Sequence, residues 1–480
     1  MGRADPRAKA ERSATRRQRL PGRQHSQDRR HLCQQDAGSP FEVQPGPLEY
    51  FPTACYCLCT ADRRRHASGA EIDHPAWPLQ SASAEVRRNS LITWPAYAMN
   101  TGIYLHIPFC RARCSYCDFN TYVGLDELFE PYVRALKREI AMHGRASADE
   151  RSDPPPAHTI FFGGGTPSLL RPEQIGDLIR TCRQTFDLPT SCEVTVECNP
   201  GTVSADYLCA LRGQGVNRLS FGAQSANPDE LRLLGREHGW DDVRAAFAAA
   251  RAAGFDNINV DLIFGLPHQS LAAWRRTLEA ALALHPDHIS LYALTIEVGT
   301  PLHDWTRRGQ VPLPDPDLVA DMYEHTERAL AEAGFEHYEI SNWCKAGRAC
   351  AHNLIYWRNE PYYGLGAGAH GSTIRRRRWN VKRPADYIAR LEHGKSAEVG
   401  HEDIDEATSR GETIMLGLRL LREGVEQARF AQRYGAPIAH FYARELEAGV
   451  AQGLLEVTDE RVRLTERGRF VSNRAMQLFL

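Results

Sequence analysis

Residues 101–119 read Thr-Gly-Ile-Tyr-Leu-His-Ile-Pro-Phe-Cys110-Arg-Ala-Arg-Cys114-Ser-Tyr-Cys117-Asp-Phe119. An apolar run suited to a strand leads directly into a loop with cysteines at C-x3-C-x2-C spacing. Three thiolates so placed can reach three corners of a 4Fe–4S cubane, thiolate being the soft ligand that iron–sulfur chemistry selects. Two other readings stay open. Zinc favours paired C-x2-C spacings with a second pair downstream, and none is obvious, while ordinary loop cysteines need no metal.

Outward from this loop, short apolar runs alternate with helical periods. Candidate strands lie at 101–107, 158–163, 193–198, 217–223, 257–264 and 288–295. The spacing of Leu125, Phe129, Tyr132, Val133, Leu136 and Ile140 predicts a helix ending at Gly144. Further helices are expected near 172–186, 204–214, 228–253, 271–285 and 315–333, with Pro and Gly at the joins. Six strand–helix units in succession require a parallel sheet with right-handed crossovers. A doubly wound sheet and a partly closed barrel both satisfy the pattern, and both gather chemistry at the carboxyl ends of their strands.

With 480 residues and a formal net charge of −2, the chain can bury a full-sized core but lacks the global basic field of a non-specific nucleic-acid binder. No run of eighteen apolar residues exists. The thirteen cysteines do not make a disulfide scaffold in a chain this long, and Cys182, Cys192, Cys198 and Cys209 read as small buried residues. No secretory signal is legible, so a reducing compartment is expected. Residues 1–98 differ from the rest: rich in Arg, Pro, Ser and Gln, without sustained period, and holding 15 basic against 10 acidic residues. The text changes abruptly at Met99, which we expect to be the true start, the upstream segment being a disordered or misassigned extension. Cys55, Cys57 and Cys59 match no metal-site spacing.

The open corner of a three-cysteine cubane can be chelated by the amino and carboxylate groups of S-adenosylmethionine, which places its sulfonium where a cluster electron can break a carbon–sulfur bond. The chain here resembles the radical S-adenosylmethionine superfamily, whose fold is a partial (β/α)6 barrel. The stretches IYLHIPFCRARCSYCDF, FFGGGTPSLL, RLSFGAQS, DLIFGLP and HNLIYW are similar to the branch containing oxygen-independent coproporphyrinogen dehydrogenase and the HemW heme chaperones, from about residue 101 to the C-terminus. The resemblance implies a 4Fe–4S cluster on Cys110, Cys114 and Cys117. It implies S-adenosylmethionine contacts from Tyr104, Gly164, Gly165, Thr166, Glu197, Gln224, Arg236, Asp261 and Ala293. Residue chemistry agrees in part: glycines let backbone approach a cofactor, and a carboxylate accepts from ribose hydroxyls. A tight turn, helix caps at the strand ends and a core aromatic at Tyr104 are the plain structural alternatives.

Two functions share this scaffold, a radical decarboxylation of coproporphyrinogen III and the carriage of finished heme. The dehydrogenase branch has a further cysteine two residues after the third; here that residue is Phe119, as in the heme chaperones. The hexamer His352-Asn353-Leu354-Ile355-Tyr356-Trp357 resembles the chaperones' heme-binding motif. A neutral imidazole suits heme iron, and Tyr and Trp offer flat apolar surface. His370 is a weaker second candidate. The resemblance therefore implies a heme chaperone, with heme and heme-accepting proteins as partners, membrane-associated respiratory enzymes among them. It implies a homodimer and a cytoplasmic protein able to work at the membrane periphery, without nucleic acid.

Arg375 to Arg378 read as a solvated basic loop, with contact to heme propionates, an anionic lipid surface or an acidic partner as the alternatives. We expect a barrel over 99–375 and a mostly helical C-terminal domain over 376–480, with a strand pair near 453–465 like the wing of a winged helix.

Overall fold

The computed structural model describes residues 100–149, 157–373 and 375–480; the expectations for residues 1–98 lie outside these. Six parallel strands follow one another: β1 (Thr101–Ile107), β2 (Ala157–Gly164), β3 (Glu193–Cys198), β4 (Arg218–Gln224), β5 (Ile258–Phe264) and β6 (His288–Ala293). All six were expected within a few residues of these bounds. Beyond β6 the sheet continues antiparallel through two strands later in the chain, β7 (Glu336–Glu339) and β8 (Asn342–Cys344), with β8 against β6. On the other side, β1 pairs in parallel with β9 (Tyr362–Leu365). Then follow β10 (His370–Ser372), β11 (Arg376–Asn380) and β12 (Glu398–Asp403), giving the order β12-β11-β10-β9-β1-β2-β3-β4-β5-β6-β8-β7. The sheet thus runs past residue 375 to Asp403.

β1 and β6 do not pair, so the sheet is open. Even so, side chains from all six parallel strands line one cavity, from Tyr104 on β1 to Ala293 on β6. A flat doubly wound sheet cannot bring them together; a curved one does, and the architecture is the partial barrel.

The strands read with period two for the same reason. One set of side chains is apolar and fully buried beneath the helices, for example Ile103 and Leu105, Val194 and Val196, Leu219 and Phe221, Val260 and Leu262. Each such side chain contributes about 1.5–3 kcal/mol by leaving water. The intervening set faces inward and is largely polar: Thr159, Glu193, Glu197, Arg218, Asp261, Ser290. A barrel interior built of polar residues is a ligand chamber rather than a packed core.

Helices cover the outside at Phe129–Asp149, Pro172–Thr185, Ala205–Gly213, Leu271–Leu282 and Pro316–Glu332. Ser204 and Ser270 cap two of them by accepting from the N–H groups of Tyr207 and Ala273. The single helix expected over 228–253 is two, Pro228–Leu233 and Trp240–Ala252. Gly235, at φ +70°, ends the first with a backbone conformation that other residues rarely adopt, and the break lets Arg236 turn into the barrel mouth.

The basic run is not a solvated loop. Arg376 and Arg377 lie on β11 directly opposite Asp403 and Glu402 of the acidic β12. Arg376 donates to Asp403 (2.7 Å), while the buried Arg377 donates to Glu402 (2.9 Å) and Glu412 (2.7 Å). The acidic complement, 25 and 27 residues downstream, is what fixes the arginines in a strand.

The C-terminal region has a core of its own around Ile414, Leu416, Phe430, Leu446 and Val462. Its strand pair, Leu455–Val457 with Arg461–Leu464, is where it was expected, joined by a third strand at Val425–Glu426. Tyr356 and Trp357 pack into this second core, so the helix Ala351–Trp357 joins barrel and C-terminal module. Among the described residues no helix is long and apolar enough to cross a membrane.

Candidate functional site

The cavity has two ends. At the mouth, beyond the carboxyl ends of the strands, Cys110, Cys114 and Cys117 all line it. Their loop is clamped through Ser115, a residue the sequence did not single out. Its N–H and hydroxyl donate to the carbonyls of Leu234 (3.1 Å) and Leu233 (2.7 Å), and its carbonyl accepts from Leu302 N–H (2.9 Å). Thr166 donates its hydroxyl to Cys110 Sγ (3.5 Å), and Arg236 Nη1 donates to Cys114 Sγ (3.4 Å). Burial pushes the Cys110 thiol up and the Cys117 thiol up to about 12. Thiols in that state stay protonated until a metal offsets the charge.

Among the described residues no three His, Cys, Asp or Glu side chains meet at a single ion. Three thiols bordering one cavity fit a cubane whose irons each take one sulfur.

The glycine turn is positioned by the same loop. Gly165 and Thr166 N–H groups donate to the carbonyls of Ile107 (2.9 Å) and Phe109 (2.7 Å), and a Cβ on Gly165 would lie 2.6 Å from the Phe109 oxygen. Gly164, at φ +111°, donates its N–H to Glu197 Oε2 (3.2 Å). Burial, reinforced by the charge of Asp261, pushes the Glu197 carboxyl up to about 8 against the pull of the Gly164 N–H. Asp261 is also raised by burial, though Ser220 (2.9 Å) and Asn259 (2.7 Å) donate to it.

Gln224 closes β4 at φ +64°, an uncommon conformation for a side chain of its size and one that concentrates at functional sites. Arg236 Nη2 donates to Gly222 O (2.7 Å) beneath it. Tyr104 is hydrogen-bonded to His106 Nδ1 (3.0 Å) with its ring 6.3 Å from Phe161. Every residue that the resemblance implied for cofactor contact therefore borders the one cavity.

His352 lies at the opposite end, the floor. Glu193, first residue of β3, caps the helix Ala351–Trp357 by accepting from the N–H groups of Ala351 (3.0 Å) and His352 (3.1 Å). The imidazole is 0 % exposed, stacked on Phe161 at 5.1 Å and close enough to Gly102 that a Cβ there would lie 2.9 Å from it. Its Nδ1 is hydrogen-bonded to Thr159 (2.7 Å) and its Nε2 to Tyr356 (2.8 Å), and burial lowers its pKa to about 3, which keeps it neutral. Both ring nitrogens are thus engaged, and Nε2 must exchange Tyr356 for any metal it ligates. His370 sits apart, in the antiparallel extension beside Trp379 (6.0 Å).

Comparison with known proteins agrees with this architecture. A radical SAM superfamily model matches residues 104–281 and a HemN C-terminal domain model residues 405–471. A model of an uncharacterized conserved protein matches residues 3–103. The chain is 38% identical to the heme chaperone HemW of Mycobacterium tuberculosis over 387 residues, 79% of this chain and 94% of that one. It is 38% identical to HemW of Bacillus subtilis over 78% of this chain and 98% of the other. The chain belongs to the HemW heme chaperone family. Membership in the radical SAM superfamily implies a 4Fe–4S cluster and S-adenosylmethionine, in keeping with the thiol-lined mouth. Among solved structures, Escherichia coli HemN, a coproporphyrinogen III oxidase, superposes with a TM-score of 0.68 over 80% of this chain and 91% of that one; at 23% identity the likeness is one of fold.

Phe119 borders the cavity two residues after Cys117 and supplies no thiol.

Proposed function

We propose that this protein binds heme and delivers it to an acceptor protein, using His352 as the iron ligand and holding a cubane and S-adenosylmethionine at the barrel mouth. The observation that carries the reading is the helix Ala351–Trp357. It presents a neutral imidazole at the end of the cavity opposite the thiols and packs Tyr356 and Trp357 into the C-terminal module. Heme taken up there would be sensed by both halves of the molecule.

Cys110, Cys114 and Cys117 would hold the cluster, with Arg236 and Thr166 donating to the thiolates. Such bonds tune a cluster's potential. The cluster, when bound, supplies one electron to the sulfonium. Glu197, Asp261 and Gln224 would orient the nucleoside, Tyr104 and Ala293 would flank it, and the Gly164-Gly165-Thr166 backbone would hold its amino-acid end. Acceptors among membrane-associated respiratory enzymes, a homodimer, and work at the membrane periphery belong to the same reading.

Anaerobic reconstitution followed by separate titrations tests it. Tight hemin binding abolished by His352→Ala, with no protoporphyrinogen formed from coproporphyrinogen III, S-adenosylmethionine and reductant, is the expected result. Robust decarboxylation would overturn it in favour of the dehydrogenase.

A further inference from the structure

Arg218, the first residue of β4, lies at the cavity floor with 2 % of its surface exposed. A guanidinium carries five donors and a charge it cannot shed, so burying one without acceptors is among the more expensive arrangements a fold can hold. Its Nε is buried with no hydrogen-bond partner, and among the described residues its guanidinium forms no hydrogen bond or ion pair.

The carboxylates nearest in charge are occupied elsewhere. Glu193 is taken up by the N–H groups of Ala351 and His352, and Asp261 by Ser220 and Asn259. Asn259 is in turn closed off by Ser290 (3.1 Å) and His288 (2.7 Å). Burial works against the Arg218 charge, while the neighbouring carboxyl groups of Glu193 and Asp261 favour it. Directly across the ladder from Arg218 stands Thr195, whose fully buried hydroxyl also has no partner. Of these two orphaned groups, Arg218 borders the chamber that His352 also borders.

We infer that Arg218 is the seat of a carboxylate carried by the barrel's ligand. A carboxylate supplies two acceptors to the fork of the guanidinium and neutralises its charge. This rests on the proposed function for the identity of that ligand, since heme carries two propionates and His352 borders the same chamber.

The test compares hemin with its dimethyl ester, in which the propionates are blocked, on wild type and Arg218→Gln. We expect wild type to bind hemin at least about tenfold more tightly than the ester, as the loss of one good charge-assisted pair requires. Arg218→Gln should bring hemin down to the ester's affinity and leave the ester unchanged. Equal binding of the two by wild type, or equal weakening of both by the variant, would overturn the inference.

A second arm keeps the two readings apart: melting in sodium propionate against sodium chloride at equal ionic strength. A propionate-specific rise in Tm in wild type and not in Arg218→Gln supports the carboxylate seat even if neither porphyrin binds, in which case the heme reading alone falls. Identical melting in both salts means that water serves the guanidinium, and the inference is wrong.

Discussion

The hydroxyl of Tyr356 lies 2.8 Å from Nε2 of His352, one helical turn earlier. The bond holds the imidazole in the only direction from which iron could approach Nε2, because Nδ1 is already committed to Thr159. Heme must therefore displace the tyrosine. A hydrogen bond of this kind contributes about 1 kcal/mol net. Tyr356→Phe should accordingly tighten hemin binding about fivefold, whereas His352→Ala should abolish the shifted Soret band. Optical titration measures both, and unchanged affinity in Tyr356→Phe would place the iron elsewhere.

The cysteines divide by surroundings. Cys110, Cys114 and Cys117 border the cavity, Cys182, Cys192 and Cys198 are buried in the apolar core between barrel and helices, and Cys209, expected to be buried with them, is exposed. Serine at any of the first three should strip iron and acid-labile sulfide after anaerobic reconstitution. Serine at Cys182 should leave the iron content unchanged and lower only the melting temperature. Quantifying iron and sulfide per chain checks the division.

Arg377 and Arg376 are neighbours with opposite surroundings. Arg377 is 3 % exposed and shared by Glu402 and Glu412, so truncating it strands two carboxylates, one of them buried. Arg377→Ala should destabilise by about 3–5 kcal/mol. Arg376→Ala, removing an exposed partner of Asp403, should leave the denaturation midpoint nearly unchanged. Urea unfolding of the two variants distinguishes them.

The six parallel strands and the thiol loop were legible because local signals decide them: period-two apolar runs, Gly and Pro at the joins, and three cysteines within eight residues. Gly235 was an equally local signal for the break in the 228–253 helix, overridden by the apolar spacing around it. The basic run 375–378 was misread because its acidic complement is separated in the chain and only the sheet brings β12 alongside. Arg218 was within reach, since Arg218-Leu-Ser220-Phe-Gly222 alternates and puts the arginine on the same face as residues read as cofactor contacts. What no local pattern could reveal is the placement of His352 at the floor, which depends on a helix returning under the barrel after β8.

Stability should fall with rising pH through the Glu197–Asp261 pair. Burial and the second carboxylate push Glu197 up to about 8, above its unfolded value near 4.3, so the native state holds a proton that the unfolded chain has released. The stability from the neutral form is fully present below the unfolded pKa, declines as pH rises, and is gone above the folded pKa. Because the two groups interact, the transition belongs to the pair rather than to either residue. Glu197→Gln removes the titrating group and retains the volume, and its amide should flatten this part of the pH dependence between about 5 and 8. Melting temperatures of wild type and variant across that range, both free of cofactor, measure the difference. Parallel curves would mean that Glu197 is ionised throughout and that the Gly164 N–H outweighs its burial.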